Sequence, residues 1–293
     1  MAILLTGGTS AQTSVEIAKK CTSSNIPFIL ASRRGNDGDG DGDKSPLPSV
    51  KFDWTDPSTY PNPFSYRFPN KPDEKITAVY MVIPTVQDPD KHMKAFIDYA
   101  ISQGVKRFVM MAGTTITLGG PGRGKVWQYL VEKGVEYAIC RPTWFQENLA
   151  KWGDMLTIKN QGKIYGCVGD AKIPFISAVD VAHVAFVTLT QKEAPNMDYR
   201  IVGPELLTYK EVAAKFTAVL GKTVEYVNLT SEERHAGMVQ FGIPADTATF
   251  MVWLEEQTAA GSETHMNDVV ETLTGKKPRS LDQFIEENKA VWM

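Results

Sequence analysis

A chain of 293 residues, 43% of them hydrophobic, is long enough for one large domain with a real core, or for such a domain plus a smaller lobe. Its 31 basic and 34 acidic side chains leave a net charge of −3, so no basic excess points to nucleic acid or to an anionic membrane. No stretch approaches the ~20 apolar residues of a membrane span. The cysteines, Cys21, Cys140 and Cys167, form no CxxC pair, so buried thiols in a reducing, cytoplasmic setting are expected. The first residues lack the basic and apolar regions of a signal peptide, and the Asn228-Leu229-Thr230 sequon then reads as chance. No metal-ligand set stands out.

In chain order, Ile3-Leu4-Leu5 reads as a buried strand, broken by Gly7 and Gly8. A helix starts near Ser14. Strand, glycine turn and helix together leave free backbone N–H groups at a positive helix end, where a pyrophosphate fits. The spacing is that of a dinucleotide fingerprint whose second and third glycines are replaced by Ser10 and Thr13. Thr6, Gly7, Gly8, Ser10, Ala11 and Gln12 are therefore candidate cofactor contacts. Pro27–Ser32 makes a second strand that ends in Arg33-Arg34, where an NAD-binding fold places an acidic residue. Two arginines suit a 2′-phosphate instead. Residues 35–49 form a low-complexity insertion, expected to be flexible. Asp37, Asp39, Asp41 and Gly42 imitate a calcium loop there, but Pro48 occupies the position of its bidentate Glu.

Val50–Asp53 makes a third strand, with Asp53-Trp54 placed to approach an adenine ring. A surface Asp and a core Trp are an equal alternative. Ile76–Pro84 is the clearest strand. It is followed by a helix carrying Met93, Phe96 and Ile97, a strand at Lys106–Ala112, a helix at Lys125–Lys133, and a strand at Val135–Arg141. Apolar strands alternating with helices imply a doubly wound parallel α/β sheet. Ligands of such sheets bind beyond the carboxyl ends of the strands. Pro84, Gly113, Thr114, and the segment from Pro142 to Asn148 join the crevice on that reading.

The second half is read as short strands at Ile164–Val168, Lys172–Ile176, Tyr199–Val202 and Val224–Val227. Helices are capped by Asp180 and by capping boxes at Thr208/Glu211 and Thr230/Glu233. Met238, Phe241, Phe250, Met251 and Trp253 mark a helical C-terminal stretch, mostly core, with some residues expected to form a lid. The expected division is a cofactor domain over residues 1–150 and a mainly substrate-binding lobe over 151–293, with some segments returning to the sheet.

TGGTSAQT, the SRR after the second strand, KFDW, GGPGRGK, RPTWFQEN, KIPFISAVDVA and GPELLTYKEVA together resemble the NmrA-like, atypical short-chain dehydrogenases. The likeness is strongest to the fungal festuclavine/agroclavine dehydrogenases of ergot alkaloid pathways, and it spans nearly the whole chain. The resemblance implies a Rossmann-type domain with strand order 3-2-1-4-5-6-7 and a smaller C-terminal lobe. It also implies NADP(H) as cofactor and an indole-alkaloid substrate.

Ordinary short-chain dehydrogenases use Tyr-x-x-x-Lys. Here Lys125 stands at the lysine position, and Pro121 stands four residues before it. Thr114 or Thr115 falls near the usual serine. With no phenol to act as acid, carbonyl reduction is disfavoured, whereas an iminium carbon accepts hydride without a proton. Such a site needs orientation and an aromatic wall, for which Trp144, Phe145 and Trp152 are candidates, with packing of the junction between lobes an equal expectation. Lys125 is placed to hold the nicotinamide ribose, and Asn148 the carboxamide or a polar group of the substrate. A redox-neutral, cofactor-assisted cyclase and a non-catalytic NADP-sensing regulator remain open, as do monomer and homodimer.

Overall fold

The computed structural model describes residues 1–35 and 47–293, apart from the Trp152 side chain. The calcium-like Asp37, Asp39, Asp41 and Gly42, and with them most of the insertion expected at 35–49, lie outside the described residues. Strand β1 (Ala2–Thr6) is buried along its whole length, as an apolar run demands. A turn of 3-10 helix at Gly8–Ser10 leads into α1 (Gln12–Ser23), which buries Ile17, Ala18 and Cys21 on one face. The chain continues through β2 (Phe28–Ser32), β3 (Ser49–Lys51), a short α2 (Pro61–Ser65), β4 (Ile76–Met81), α3 (Pro89–Ser102), β5 (Arg107–Met111), α4 (Arg123–Glu132) and β6 (Glu136–Pro142). Then come α5 (Trp152–Gln161), β7 (Lys163–Gly166), α6 (Ala178–Thr190), β8 (Met197–Ile201), α7 (Tyr209–Leu220) and β9 (Glu225–Asn228). Helices α8 (Ser231–Gln240), α9 (Ala245–Ala259), α10 (Val269–Thr274) and α11 (Leu281–Asn288) follow.

Two compact units emerge. The first comprises Met1–Pro142 and Ala178–Arg200; the second comprises Thr143–Ser177 and Ile201–Met293. The first holds a seven-stranded sheet of order β3-β2-β1-β4-β5-β6-β8, whose neighbours from β3 to β6 run parallel. This is the doubly wound order expected. Its seventh strand is β8 because β7 pairs instead with β9, in a separate parallel ribbon of the second unit. The core of the first unit packs Leu4, Ile29, Val79, Phe108 and Ile139 of the strands against Phe96 and Ile97 of α3 and Val126, Trp127 and Leu130 of α4. Each large apolar side chain buried this way contributes roughly 1.5–3 kcal/mol. Phe52, Trp54 and Tyr60 crowd around the Phe96 ring, edge to face at 4.9, 5.3 and 5.3 Å.

In the second unit, Trp292 is fully buried against Phe216 and Phe284. Both expected capping boxes form, and Ser280 and Gln283 make a third at the start of α11. Three readings are corrected. Lys172–Ile176 is no strand: it makes only isolated bridges, Ile173 to Leu207 and Phe145 to Ile176. Pro174, in its middle, has no N–H to give a ladder. Asp180 lies inside the first turn of α6 and not at its cap, since the helix opens at Ala178. In the C-terminal stretch Met238 is buried, but Phe241, Phe250 and Trp253 are 60%, 46% and 43% exposed. The last two stack on each other at the surface, 5.8 Å between centroids.

Candidate cofactor and substrate sites

The turn after β1 is built by two glycines in the left-handed region, Gly7 (φ 88°) and Gly8 (φ 56°). A Cβ on Gly7 would stand 2.6 Å from the Ala11 Cβ, and one on Gly8 would stand 2.5 Å from the Ser32 Cβ. Neither position admits another residue without movement. The Ser10 hydroxyl donates to the Gly7 carbonyl at 2.8 Å, so it closes the turn upon itself. Ala11 is extended and offers α1 no side-chain cap. The start of that helix carries the positive end of its dipole, which favours an anion.

The helix is locked down by buried hydroxyls. Ser14 donates to the Thr6 carbonyl at 2.7 Å, and Tyr80 donates to Thr13 Oγ1 at 3.0 Å. Thr13 thus takes over the close helix–strand packing that a third glycine would provide. The Thr6 side chain is fully buried; it donates to the Tyr80 carbonyl and accepts the Val82 N–H at 2.8 Å. This hydroxyl joins β1 to the chain beyond β4, which leaves it no hydrogen for a ligand. Burial pushes the Tyr80 phenol far above its ordinary range.

Beyond these strand ends lies a cleft of about 350 Å³. Of the residues expected there, Gly7, Ser10, Ala11, Arg33, Asp53, Trp54 and Pro84 line it. The rest of the lining includes Ser32, Thr55 and the stretch Val82–Val86. Sequence reasoning missed Val82 and Ile83 because the apolar run at 76–84 reads as one strand, although pairing stops at Met81; Val86, beyond Pro84, carries no local signal. Asp53 accepts both the N–H and the hydroxyl of Thr55 at 2.8 Å. The Thr55 N–H chiefly, with Arg33 nearby, holds its carboxyl below the usual range. Trp54 is 7% exposed and packs edge-on against Phe52 at 5.0 Å, so its ring belongs to the core and only touches the cleft.

Thr6, Gly8, Gln12, Arg34, Gly113, Thr114, Lys125, Pro142 and Phe145 are not among the lining residues. Arg34 and Lys125 are exposed. Thr114 is buried, and its carbonyl accepts Arg141 Nη2 at 2.6 Å, while Arg141 Nη1 pairs with Asp198 at 2.6 Å.

In the second unit the segment after β6 is pinned from several sides. Thr143 Oγ1 donates to Glu263, Trp144 Nε1 donates to Thr258 Oγ1, and Gln146 Nε2 donates to the Phe175 and Arg279 carbonyls. Glu147 is buried and accepts from Ser177. Asn148, expected to hold a polar group, is exposed in the 3-10 turn Gln146–Ala150, whereas its neighbours Gln146 and Glu147 turn inward. Trp144 and Phe145 remain partly exposed. Trp152 opens α5, but its side chain lies outside what is described. Among the described residues, no group of His, Cys, Asp and Glu could hold a metal ion, and no helix is long and apolar enough to cross a membrane.

The NmrA-like family model matches residues 121–285. Agroclavine dehydrogenase of Claviceps fusiformis is 38% identical over 100% of this chain and 99% of its own length. The chain belongs to the NmrA-like family. Festuclavine synthase I of Penicillium roqueforti is 36% identical to this NmrA-like protein, over the full length of both. The fold also matches that of an NADPH-dependent quinone oxidoreductase from Escherichia coli, solved with NADPH, with a TM-score of 0.79 at 17% identity, over 98% of this chain and 99% of that one. The NmrA-like protein is thus a Rossmann-type α/β protein whose relatives include alkaloid dehydrogenases and synthases of fungi.

Proposed function

We propose that this NmrA-like protein is an NADP(H)-dependent oxidoreductase that reduces an iminium-type carbon of an indole-alkaloid intermediate. The observation that carries the reading is Pro121: four residues before Lys125 there is no phenol to protonate an alkoxide. The sequence likeness to agroclavine dehydrogenase and festuclavine synthase supports the substrate class.

The cleft's donor set suits NADP(H). Gly7, Ser10 and Ala11 bring backbone and an uncapped helix start to a pyrophosphate, and Arg33 brings a guanidinium to a 2′-phosphate. NADPH supplies a hydride when bound. Asp53, kept ionised, and the edge of Trp54 suit the adenosine end, and Pro84 closes that wall. Lys125 is proposed to hold the ribose, with Thr114 and Gly113 shaping the loop after β5. Trp144 and Phe145 are proposed to offer the cation an aromatic surface. Asn148, exposed on its turn, is proposed to meet a polar group of the ligand. In the domain reading that goes with these roles, residues 1–150 serve the cofactor and 151–293 mainly the substrate.

The test offers purified protein and NADPH a neutral ketone, an aldehyde and a preformed 3,4-dihydro-β-carbolinium iminium. Net NADPH consumption with the iminium alone is expected, and Lys125→Met should raise the cofactor KM more than it lowers kcat. Efficient ketone reduction with the iminium untouched refutes the reading. Conversion without net NADPH consumption indicates a redox-neutral cyclase.

A further inference from the structure

We infer that Thr258 of α9 is a positioning residue for Trp144 and thereby fixes the orientation of the aromatic surface offered to the substrate. The inference rests on the reading of Trp144 given above. Thr258 is 1% exposed. Its hydroxyl donates to the Leu254 carbonyl at 2.9 Å, one turn back on the helix. A hydroxyl has one hydrogen, so what remains to it is acceptor capacity, oriented by its bond to the helix backbone. The Trp144 Nε1–H donates to that oxygen at 3.0 Å.

The main chain of Trp144 is held separately, its carbonyl accepting the Ile176 N–H at 3.0 Å. The preceding residue is tethered in the same direction, Thr143 Oγ1 donating to the buried Glu263 at 2.7 Å. Helix α9 is itself anchored one turn before Thr258. There Glu255, 3% exposed, accepts the Cys167 N–H at 2.7 Å and Arg234 Nε at 2.9 Å. Helix α9 is thus tied to the residue after β7 at Glu255 and to the indole at Thr258, one turn further on. A tryptophan turns about two side-chain torsions. With its backbone and its N–H both held, the plane of the ring is determined, while part of its surface stays open.

Thr258→Val keeps the shape and removes the acceptor; Thr258→Ser keeps the acceptor. With the carbolinium iminium, Thr258→Val should raise KM several-fold, up to about tenfold, because the untethered indole spends less time in the binding orientation, with kcat little changed and the NADPH Kd unmoved. Thr258→Ser should restore wild-type KM. In a Trp144→Phe background, which lacks the donor, Thr258→Val should add nothing further. An unchanged KM in a Thr258→Val protein of lowered Tm assigns Thr258 to stability alone and overturns the inference. Effects of the two substitutions that multiply overturn it as well. The fluorescence difference between wild type and Trp144→Phe isolates the Trp144 emission and needs no turnover. Thr258→Val should shift that emission and increase its quenching by acrylamide. If the wild type leaves the iminium untouched, the reductase reading fails. The tether is then decided by this spectrum, and a Trp144 emission unmoved by Thr258→Val overturns it.

Discussion

Removing the Arg33 guanidinium should separate the two nicotinamide cofactors. Arg33 lines the cleft at the end of β2, whereas Arg34, the next residue, is exposed and does not line it. A hydrogen bond to a charged group contributes about 1.5–3 kcal/mol, or roughly one to two decades in Kd. Arg33 is itself exposed, so salt screens part of this, and about tenfold is expected for Arg33→Ala at physiological ionic strength. The neighbouring Asp53 adds a second effect. Arg33 is among the charges that hold its carboxyl low. Without the guanidinium, a 2′-phosphate would face that carboxylate uncompensated. Asp53→Asn should therefore recover part of the NADPH affinity in the Arg33→Ala background. Titration of the intrinsic fluorescence of NADPH and NADH, at low and high salt, measures all of this. NADPH should weaken about tenfold, NADH should hardly change, and Arg34→Ala should change neither by more than about twofold. Equal losses for both cofactors, or a larger loss in Arg34→Ala, would refute the assignment of the 2′-phosphate to Arg33.

Two further outcomes concern the fold and its pH dependence. A Cβ on Gly203 would lie 1.9 Å from the Phe175 carbonyl oxygen. Gly203→Ala must displace backbone and should cost more than about 3 kcal/mol, whereas Gly104→Ala, with open space around it but φ 94°, should cost about 1 kcal/mol from conformation alone; urea denaturation ranks the two. Asp154 of α5 has its carboxyl pushed from 3.8 up to about 6, chiefly by burial, with Glu255 adding to the rise and Arg234 opposing it. The folded state then binds a proton that the unfolded state has released between about pH 4 and 6, so stability falls as pH rises through that window. Asp154→Asn should flatten the fall and raise Tm at pH 7, and a Tm–pH profile identical to that of wild type would show that Asp154 does not titrate there.

Much of the first unit was legible because its signals are local. Apolar runs of strand length, separated by helices of 3.6-residue spacing, leave few arrangements other than a parallel sheet covered on both faces. The two capping boxes were legible for the same reason, since donor and acceptor lie three residues apart. The site was legible where the chain brings residues together at strand ends: Gly7, Ser10, Arg33 and Asp53 do line one cleft. Reading failed where an identical local pattern has two tertiary outcomes. Lys172–Ile176 is a short apolar run like a strand, but Ile173 and Ile176 bridge to different partners. Ser10 has a hydroxyl free to meet a phosphate by sequence, but the turn spends it on Gly7.

The sequence by itself determined the class of sheet, the glycine turn at its head, the arginines after β2 and the proline four residues before Lys125. These are properties of composition and spacing, carried by residues close in the chain. Only the tertiary structure decided which arginine meets the cleft, that β7 leaves the main sheet to pair with β9, and that Gln146 and Glu147 turn inward while Asn148 faces out. It alone joined Trp144 to Thr258 across 114 residues of chain. Such contacts depend on where separate elements meet, and burial there favours partners for polar groups that no local pattern specifies.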